Sequence, residues 1–243
     1  MNLVLSHKKL KLHAMREMFL IILMSTSIAL KAQPKEGNKS SFDEQIYQQL
    51  IGKSYIDKSL INKGIFFRNT FLPGKIVFAS GDSIDKVFIR YECLSKKLIW
   101  LSDGYGQIEL DDLSIKSFEL RNTDTSFLFA KRTVKALGDT TPQFYQIFAA
   151  NNLGLIALRK VVRKDSYMKK KKFYIYAPAP VFVFNVQDKT YTLKSLKLKS
   201  LLALFPDKKE DILKQLRRSP FHIKNENDFV AFLQVIEPIL LEK

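Results

Sequence analysis

The first residues that could do chemistry are Gly81-Asp82-Ser83, which follow the apolar segment KIVFA. Some serine hydrolases carry their nucleophile in such a triplet after a strand, on a sharp turn that leads into a helix. Here an alternating apolar segment follows Ser83, and Ser219 stands where an aspartate should precede His222 by three residues. We therefore predict a hairpin turn at Gly81-Asp82 and keep a serine hydrolase as the least favoured alternative.

Acidic residues close in sequence could perform glycosidase chemistry, which needs two carboxyl groups on either side of the bond that is cleaved. The candidates are Asp82 with Asp85, and Glu109 with Asp111 and Asp112. All of them stand at or beside predicted turns, where aspartate is favoured because it bonds to nearby backbone groups. We expect turn formation rather than catalysis from these residues, and hence no catalytic residue in the chain.

Metal and cofactor sites have few possible ligands in this sequence. Cys93 is the single cysteine, so a disulfide framework and a zinc site of several thiolates are excluded. Of three histidines, only His222 lies beyond the N-terminal apolar segment. No GxxxxGK[ST] phosphate loop is present. We expect neither a metal ion nor a cofactor.

The densest group of positive charges lies in RKDSYMKKKK, residues 163–172, which we predict to be a loop between two strands. Its basic residues are the candidate binding residues: Arg163, Lys164, Lys169, Lys170, Lys171 and Lys172. Such a segment suits an anionic surface, namely lipid phosphates, an acidic glycan or an acidic protein. The alternative is a solvated tip whose charges prevent edge-to-edge association of strands.

Residues 18–30, MFLIILMSTSIAL, have the length of the apolar region of a signal peptide. Basic residues precede them, and Ala32-Gln33 offers a cleavage point; Met15 is an alternative start. We predict a signal peptide over residues 1–32 and a periplasmic or secreted mature chain. No later segment approaches the ~18 apolar residues of a membrane span. An exported chain without a recognised nucleic-acid fold also makes a nucleic-acid partner improbable.

Residues 62–193 alternate between apolar and polar positions in about ten short segments separated by turns. In DKVFIRYEC the apolar face is Val87, Ile89, Tyr91 and Cys93. The connections lack the dozen or more residues that a parallel crossover needs, so the strands pair mainly antiparallel. We predict an α+β protein whose antiparallel sheet forms a sandwich or a partly open barrel.

The apolar period changes to that of helices on either side of this region. Residues 194–243 predict a small helical cluster packed on the sheet, with Asn225 capping a last helix that Pro238 kinks or ends. In that helix Phe229, Phe232, Leu233 and Ile236 form the inward face. Residues 33–61 predict a polar linker followed by a short helix over 42–52.

Three segments of the predicted sheet form a pattern: Gly74-Lys75-Ile76-Val77-Phe78, Val87-Phe88-Ile89-Arg90-Tyr91 and Phe118-Glu119-Leu120. Together they resemble a family of exported Bacteroidetes proteins of unknown function. The C-terminal helical segments are similar to that family as well, so the resemblance spans about residues 60–240. It implies an envelope location and brings no catalytic residues.

These observations predict a basic, non-catalytic protein of the cell envelope. The chain carries a net charge of +16, and removing residues 1–32 takes away five basic residues and one acidic residue. We expect an adaptor or binding module for an envelope protein, a glycan or an anionic lipid surface. The alternative is a carrier whose barrel holds an apolar ligand among its many Phe and Tyr side chains.

Overall fold

The computed structural model describes residues 50–57, 64–104, 106–148, 153–168, 171–187, 189–193, 195–218 and 221–242. The predicted signal peptide and most of the predicted linker lie outside these residues. The described strands are β1 Gly52–Ser54, β2 Leu72–Phe78, β3 Ser83–Glu92, β4 Lys97–Leu101, β5 Gln107–Leu110, β6 Ile115–Arg121, β7 Ser126–Arg132, β8 Gln143–Phe148, β9 Gly154–Leu158, β10 Val161–Met168, β11 Lys171–Pro178, β12 Val181–Val186 and β13 Lys189–Leu193. The described helices are α1 Leu198–Leu204, α2 Lys209–Arg218 and α3 Glu226–Leu241.

Eleven of the described strands form one antiparallel sheet in the order β1-β5-β4-β3-β2-β6-β7-β8-β9-β12-β13. Strands β10 and β11 form a separate two-stranded sheet. The large sheet is open, with β1 and β13 as its edges, and it does not close into a barrel. The prediction of an α+β protein with a mainly antiparallel sheet and C-terminal helices is confirmed.

The sheet begins earlier in the chain than the predicted boundary at residue 62. Gly52 pairs with Leu110, and Tyr55 donates its backbone N–H to the Gln107 carbonyl oxygen. Of the helix predicted over residues 42–52, the structure describes the last three residues, and Gly52 is in a strand rather than a helix. Pairing with β5 satisfies backbone groups that a sheet edge would otherwise leave open.

The first core lies under β2 to β8 and is filled by aromatic rings. The predicted inward face of β3 is confirmed, because Val87, Ile89, Tyr91 and Cys93 are all buried. The Phe118 and Phe129 rings stack with centroids 4.7 Å apart, and Phe129 lies 5.2 Å from Tyr91. Each buried aromatic side chain contributes about 1.5–3 kcal/mol. The carrier hypothesis placed its ligand among such rings, which here pack against one another.

The second core joins β9, β12 and β13 to the three helices. Asn225 caps α3 in a capping box with Asp228, as the sequence predicts. The predicted inward residues of α3 are completely buried: Phe229, Phe232, Leu233 and Ile236. They share this core with sheet residues such as Leu155 and Phe184. Pro238 does not end the helix, which continues to Leu241.

Among the helices that the structure describes, none combines the length and the apolar character that a membrane-spanning helix requires.

The described residues of the segment predicted as a basic loop over 163–172, namely 163–168 and 171–172, lie instead in two paired strands. Strand β10 extends to Met168 and β11 starts at Lys171. The chain leaves the large sheet at Arg159 and Lys160, which separate β9 from β10. A lysine-rich segment predicts a loop, because lysine has a low propensity for β-strands. The cross-strand ion pair of Asp165 with Lys172 and the contact of Arg163 with the Tyr174 ring stabilise the pairing despite that composition.

Candidate functional site

Strands β10 and β11 pair antiparallel, and we call these two strands, Val161–Met168 and Lys171–Pro178, the basic hairpin. Each strand has eight residues, so the hairpin is about 25 Å long. The register sets Asp165 opposite Tyr174 and Tyr167 opposite Lys172. Since side chains alternate between the faces of a strand, Arg163 and Lys172 lie on one face and Lys164 on the other. The predicted binding residues are therefore divided between two faces.

One face of the basic hairpin combines cations with tyrosine rings. The Arg163 guanidinium lies 4.4 Å from the centre of the Tyr174 ring, and Lys172 Nζ lies 5.7 Å from it. Lys172 Nζ also lies 2.7 Å from Asp165 Oδ2, and this hydrogen bond raises the pKa of the Lys172 ammonium. Tyr167 is 68 % exposed. The face thus offers aromatic surface and positive charge together.

The structure describes the remaining predicted binding residues less completely. Lys164 is exposed on the opposite face, beside Val162, which is also exposed. The backbone of Lys171 pairs with Met168. Lys169 and Lys170 lie outside the described residues. Of the six predicted residues, the structure therefore describes side chains for Arg163, Lys164 and Lys172.

The base of the hairpin is held by close backbone packing. Gly64 has a φ of +84°, and a Cβ at this position would overlap the Tyr176 carbonyl oxygen. Tyr176 also packs on a small apolar cluster that contains Ile65 and Phe66. Ala179 donates its N–H to the Lys160 carbonyl oxygen across the base, at 2.8 Å. The hairpin is therefore fixed at one end, and its distal tyrosine and basic residues are exposed.

A buried arginine lies where the chain leaves the large sheet for the hairpin. Arg159 is 8 % exposed, and its Nε donates to Gln146 Oε1 at 2.7 Å. Its Nη1 and Nη2 donate to the two carboxylate oxygens of Glu226 at 2.7 and 2.5 Å. Glu226 is the first residue of α3. This fork joins strand β8, the hairpin base and the last helix, and it was not predicted from the sequence.

A cavity of about 200 Å³ lies beside Arg159, and Cys93 is among the residues that line it. Burial raises the pKa of the Cys93 thiol to about 12, although the positive charge of Arg159 acts in the opposite direction. The thiol is therefore protonated at neutral pH, and only the thiolate reacts quickly with alkylating agents.

We predict that iodoacetamide leaves Cys93 unmodified in the folded protein at neutral pH and alkylates it after unfolding in urea. Intact-mass spectrometry before and after the treatment measures this. Rapid alkylation of the folded protein would show that Cys93 is reached through the cavity.

A surface groove lies between residues 195–198 and residues 221–226, and we call it the lysine groove. It consists of two adjoining cavities of about 650 and 390 Å³. Four residues line both cavities: Leu196, Lys197, Ile223 and Lys224. His222 is exposed and lines the larger cavity. The groove is the second candidate site.

The residues considered for catalysis take structural positions. Gly81 has a φ of +100° in the turn between β2 and β3, which confirms the predicted hairpin turn at Gly81-Asp82. Ser83 begins β3 rather than a helix. Asp85 accepts a hydrogen bond from the Lys86 N–H and forms an ion pair with Arg121. Both interactions lower the pKa of the Asp85 carboxyl. Asp111 accepts a hydrogen bond from the Leu113 N–H in a short turn.

Glu109 and Asp112 have lysine partners. Glu109 Oε1 lies 3.3 Å from Lys53 and 3.5 Å from Lys97, and Asp112 Oδ1 lies 3.2 Å from Lys131. In the part of the chain that the structure describes, no group of three or more His, Cys, Asp or Glu residues is arranged to hold a metal ion. The basic hairpin and the lysine groove are therefore the two candidate sites. No family model, curated protein or solved structure matches this chain.

Proposed function

We propose that this protein is a non-catalytic binding protein of the cell envelope, and that its basic hairpin contacts an anionic lipid surface. The observation that carries the proposal is the exposure of Tyr167 beside Lys172 on a hairpin that is separate from the large sheet. Tyrosine rings prefer the level of the lipid headgroups, where lysine and arginine reach the phosphates.

The exposed apolar atoms of the hairpin favour lipid over the other anionic partners. Tyr174 is 42 % exposed on the face that carries Arg163 and Lys172, and Val162 is 45 % exposed beside Lys164 on the other face. An acidic glycan or an acidic protein segment would use the charge, whereas a lipid surface uses the charge and also accepts the exposed apolar side chains. Each cation near an anionic membrane contributes about 1 kcal/mol. Asp165, which forms an ion pair with Lys172, reduces the contribution of these cations.

The predicted location agrees with such a partner. A signal peptide over residues 1–32 would bring the chain to the envelope, where anionic headgroups are accessible. The positive net charge of the whole chain also favours approach to a negative surface, because it raises the local concentration of the protein there. Binding of this type weakens as salt screens the charges.

Vesicle co-sedimentation tests the proposal through a charge-reversed hairpin. We expect the wild-type protein to sediment with phosphatidylcholine vesicles that contain phosphatidylglycerol, and not with pure phosphatidylcholine. The triple variant Arg163→Glu/Lys164→Glu/Lys172→Glu should lose this binding. Tyr167→Ala should weaken it several-fold, because the ring no longer enters the interface.

The matched control reverses three exposed lysines of the helices, Lys199→Glu/Lys209→Glu/Lys214→Glu, and so changes the net charge equally. We expect it to keep most of the vesicle binding. Equal loss in both triple variants would show that net charge alone drives adsorption and would overturn the hairpin as the site. Retention on an acidic polysaccharide column, without vesicle binding, would identify a glycan partner instead.

A further inference from the structure

The lysine groove joins positive charge to an apolar floor. Leu196 and Ile223 lie at the junction of its two cavities, together with Lys197 and Lys224. Beyond the junction the larger cavity continues over apolar residues, including Leu216 and Phe221. The smaller cavity is lined by Pro180 and Phe182 and also by Ser195, Asn225 and Glu226. The groove therefore has a cationic centre between a larger, mainly apolar cavity and a smaller cavity that contains the Glu226 carboxylate.

The cations at the centre are available to a ligand. Among the described residues, neither Lys197 nor Lys224 has a carboxylate within ion-pair distance of its ammonium, and both side chains are exposed. The nearby acids are engaged elsewhere. Glu226 binds Arg159, and Asp228 accepts the backbone N–H groups of residues 224 and 225. A bound anion would therefore meet two ammonium groups with little competition from these acids.

We propose that the lysine groove binds a long-chain acyl carboxylate, with the carboxylate between Lys197 and Lys224 and the chain in the larger cavity. Its volume of about 650 Å³ lies within the range of small-molecule sites, about 300–1,000 Å³. A lipid with two chains would have to place one of them in the smaller cavity beside Glu226. A single-chain anion avoids this, because its chain needs the larger cavity only.

This site is independent of the basic hairpin, which shares no residue with it. The apolar-carrier hypothesis from the sequence required a barrel interior, whereas the groove lies on the surface between the end of the sheet and the helices. The ligand would lie over residues that pack on the second core, among them Leu216, Phe221 and Ile223. The positive charge at the centre of the groove and the apolar surface of its larger cavity together select an anion that carries a long apolar chain.

Fluorescence titration with cis-parinaric acid, a polyene fatty acid, tests the proposal on the full chain. We expect saturable binding at one site and displacement of the probe by hexadecanoate. Hexadecanol, which has the same chain without the charge, should displace the probe at least about tenfold less well, since hydrogen bonds between charged groups are stronger than those of a neutral hydroxyl. Shorter carboxylates should bind more weakly, by up to about fourfold for each buried methylene lost.

The variant Lys197→Ala/Lys224→Ala should raise the dissociation constant for cis-parinaric acid about tenfold or more. Its matched control is Lys199→Ala/Lys214→Ala, which removes two exposed lysines of α1 and α2 that do not line the groove. We expect the control to bind like the wild type. The charge-reversed hairpin should also bind normally, so this proposal and the lipid-surface proposal can fail separately.

Three results would overturn the proposal. Equal displacement by hexadecanol and hexadecanoate would reveal an apolar patch that does not recognise the anion. Unchanged affinity in the Lys197→Ala/Lys224→Ala variant would place the probe elsewhere. Tighter competition by phosphatidylglycerol than by hexadecanoate would identify a two-chain lipid as the ligand.

Discussion

Replacing Arg159 by methionine is expected to lower the free energy of unfolding by about 2–4 kcal/mol. Methionine keeps apolar atoms near the Phe67 and Phe148 rings, over which the guanidinium now lies. It removes every hydrogen bond of the fork, so Gln146, which is 4 % exposed, loses a buried partner. Glu226 is partly exposed and regains water, which limits the loss.

Urea unfolding followed by circular dichroism measures this loss. Arg163→Met is the matched control, because Arg163 is exposed and contacts the Tyr174 ring without a buried partner. We expect it to change stability by less than about 0.5 kcal/mol, as surface substitutions usually do. A loss below about 1 kcal/mol for Arg159→Met would mean that solvent already screens the fork.

The faces of regular elements could be predicted from the sequence because burial follows their periods. Alternation identified the inward side of β3, and the helical period identified the inward side of α3. The opposite side of β3 could not be predicted, because Arg90 and Glu92 are buried there at 6 % exposure each. Arg90 binds Asp57 at 2.8 Å and lies over the Phe66 ring, and these partners come from segments distant in sequence. The sequence pattern within β3 does not indicate that distant segments of the chain bury these two side chains.

In the two candidate sites, too, some features could be predicted from the local sequence and others depend on segments that meet only in the fold. Charge density alone marked the basic hairpin, but its division into two faces needed the strand register. The lysine groove is built from two apolar-cationic pairs, Leu196-Lys197 and Ile223-Lys224, in segments without helix or strand. Each pair is unremarkable in the sequence. A signal that could have directed attention to them is their place beside predicted helix ends, where chains often turn back towards each other.

Substituting Gly64 by alanine is expected to destabilise the protein by about 2–4 kcal/mol. The φ of +84° costs an alanine about 1–2 kcal/mol. The added Cβ would also overlap the Tyr176 carbonyl oxygen, so the backbone at the hairpin base must move. We expect faster amide hydrogen exchange along β11 as well as lower stability against urea, because Tyr176 belongs to that strand.

Gly138→Ala separates the two causes. Gly138 has a similar φ of +76°, but a Cβ there would meet no atom within 4 Å. It should therefore show the conformational cost alone, about 1–2 kcal/mol, with unchanged exchange in β11. Equal losses in both variants would mean that the base of the hairpin yields easily to the new methyl group. In that case the contact between Gly64 and Tyr176 would not hold the hairpin in place, and its distal tyrosine and basic residues would depend on β9 and β12 for their orientation.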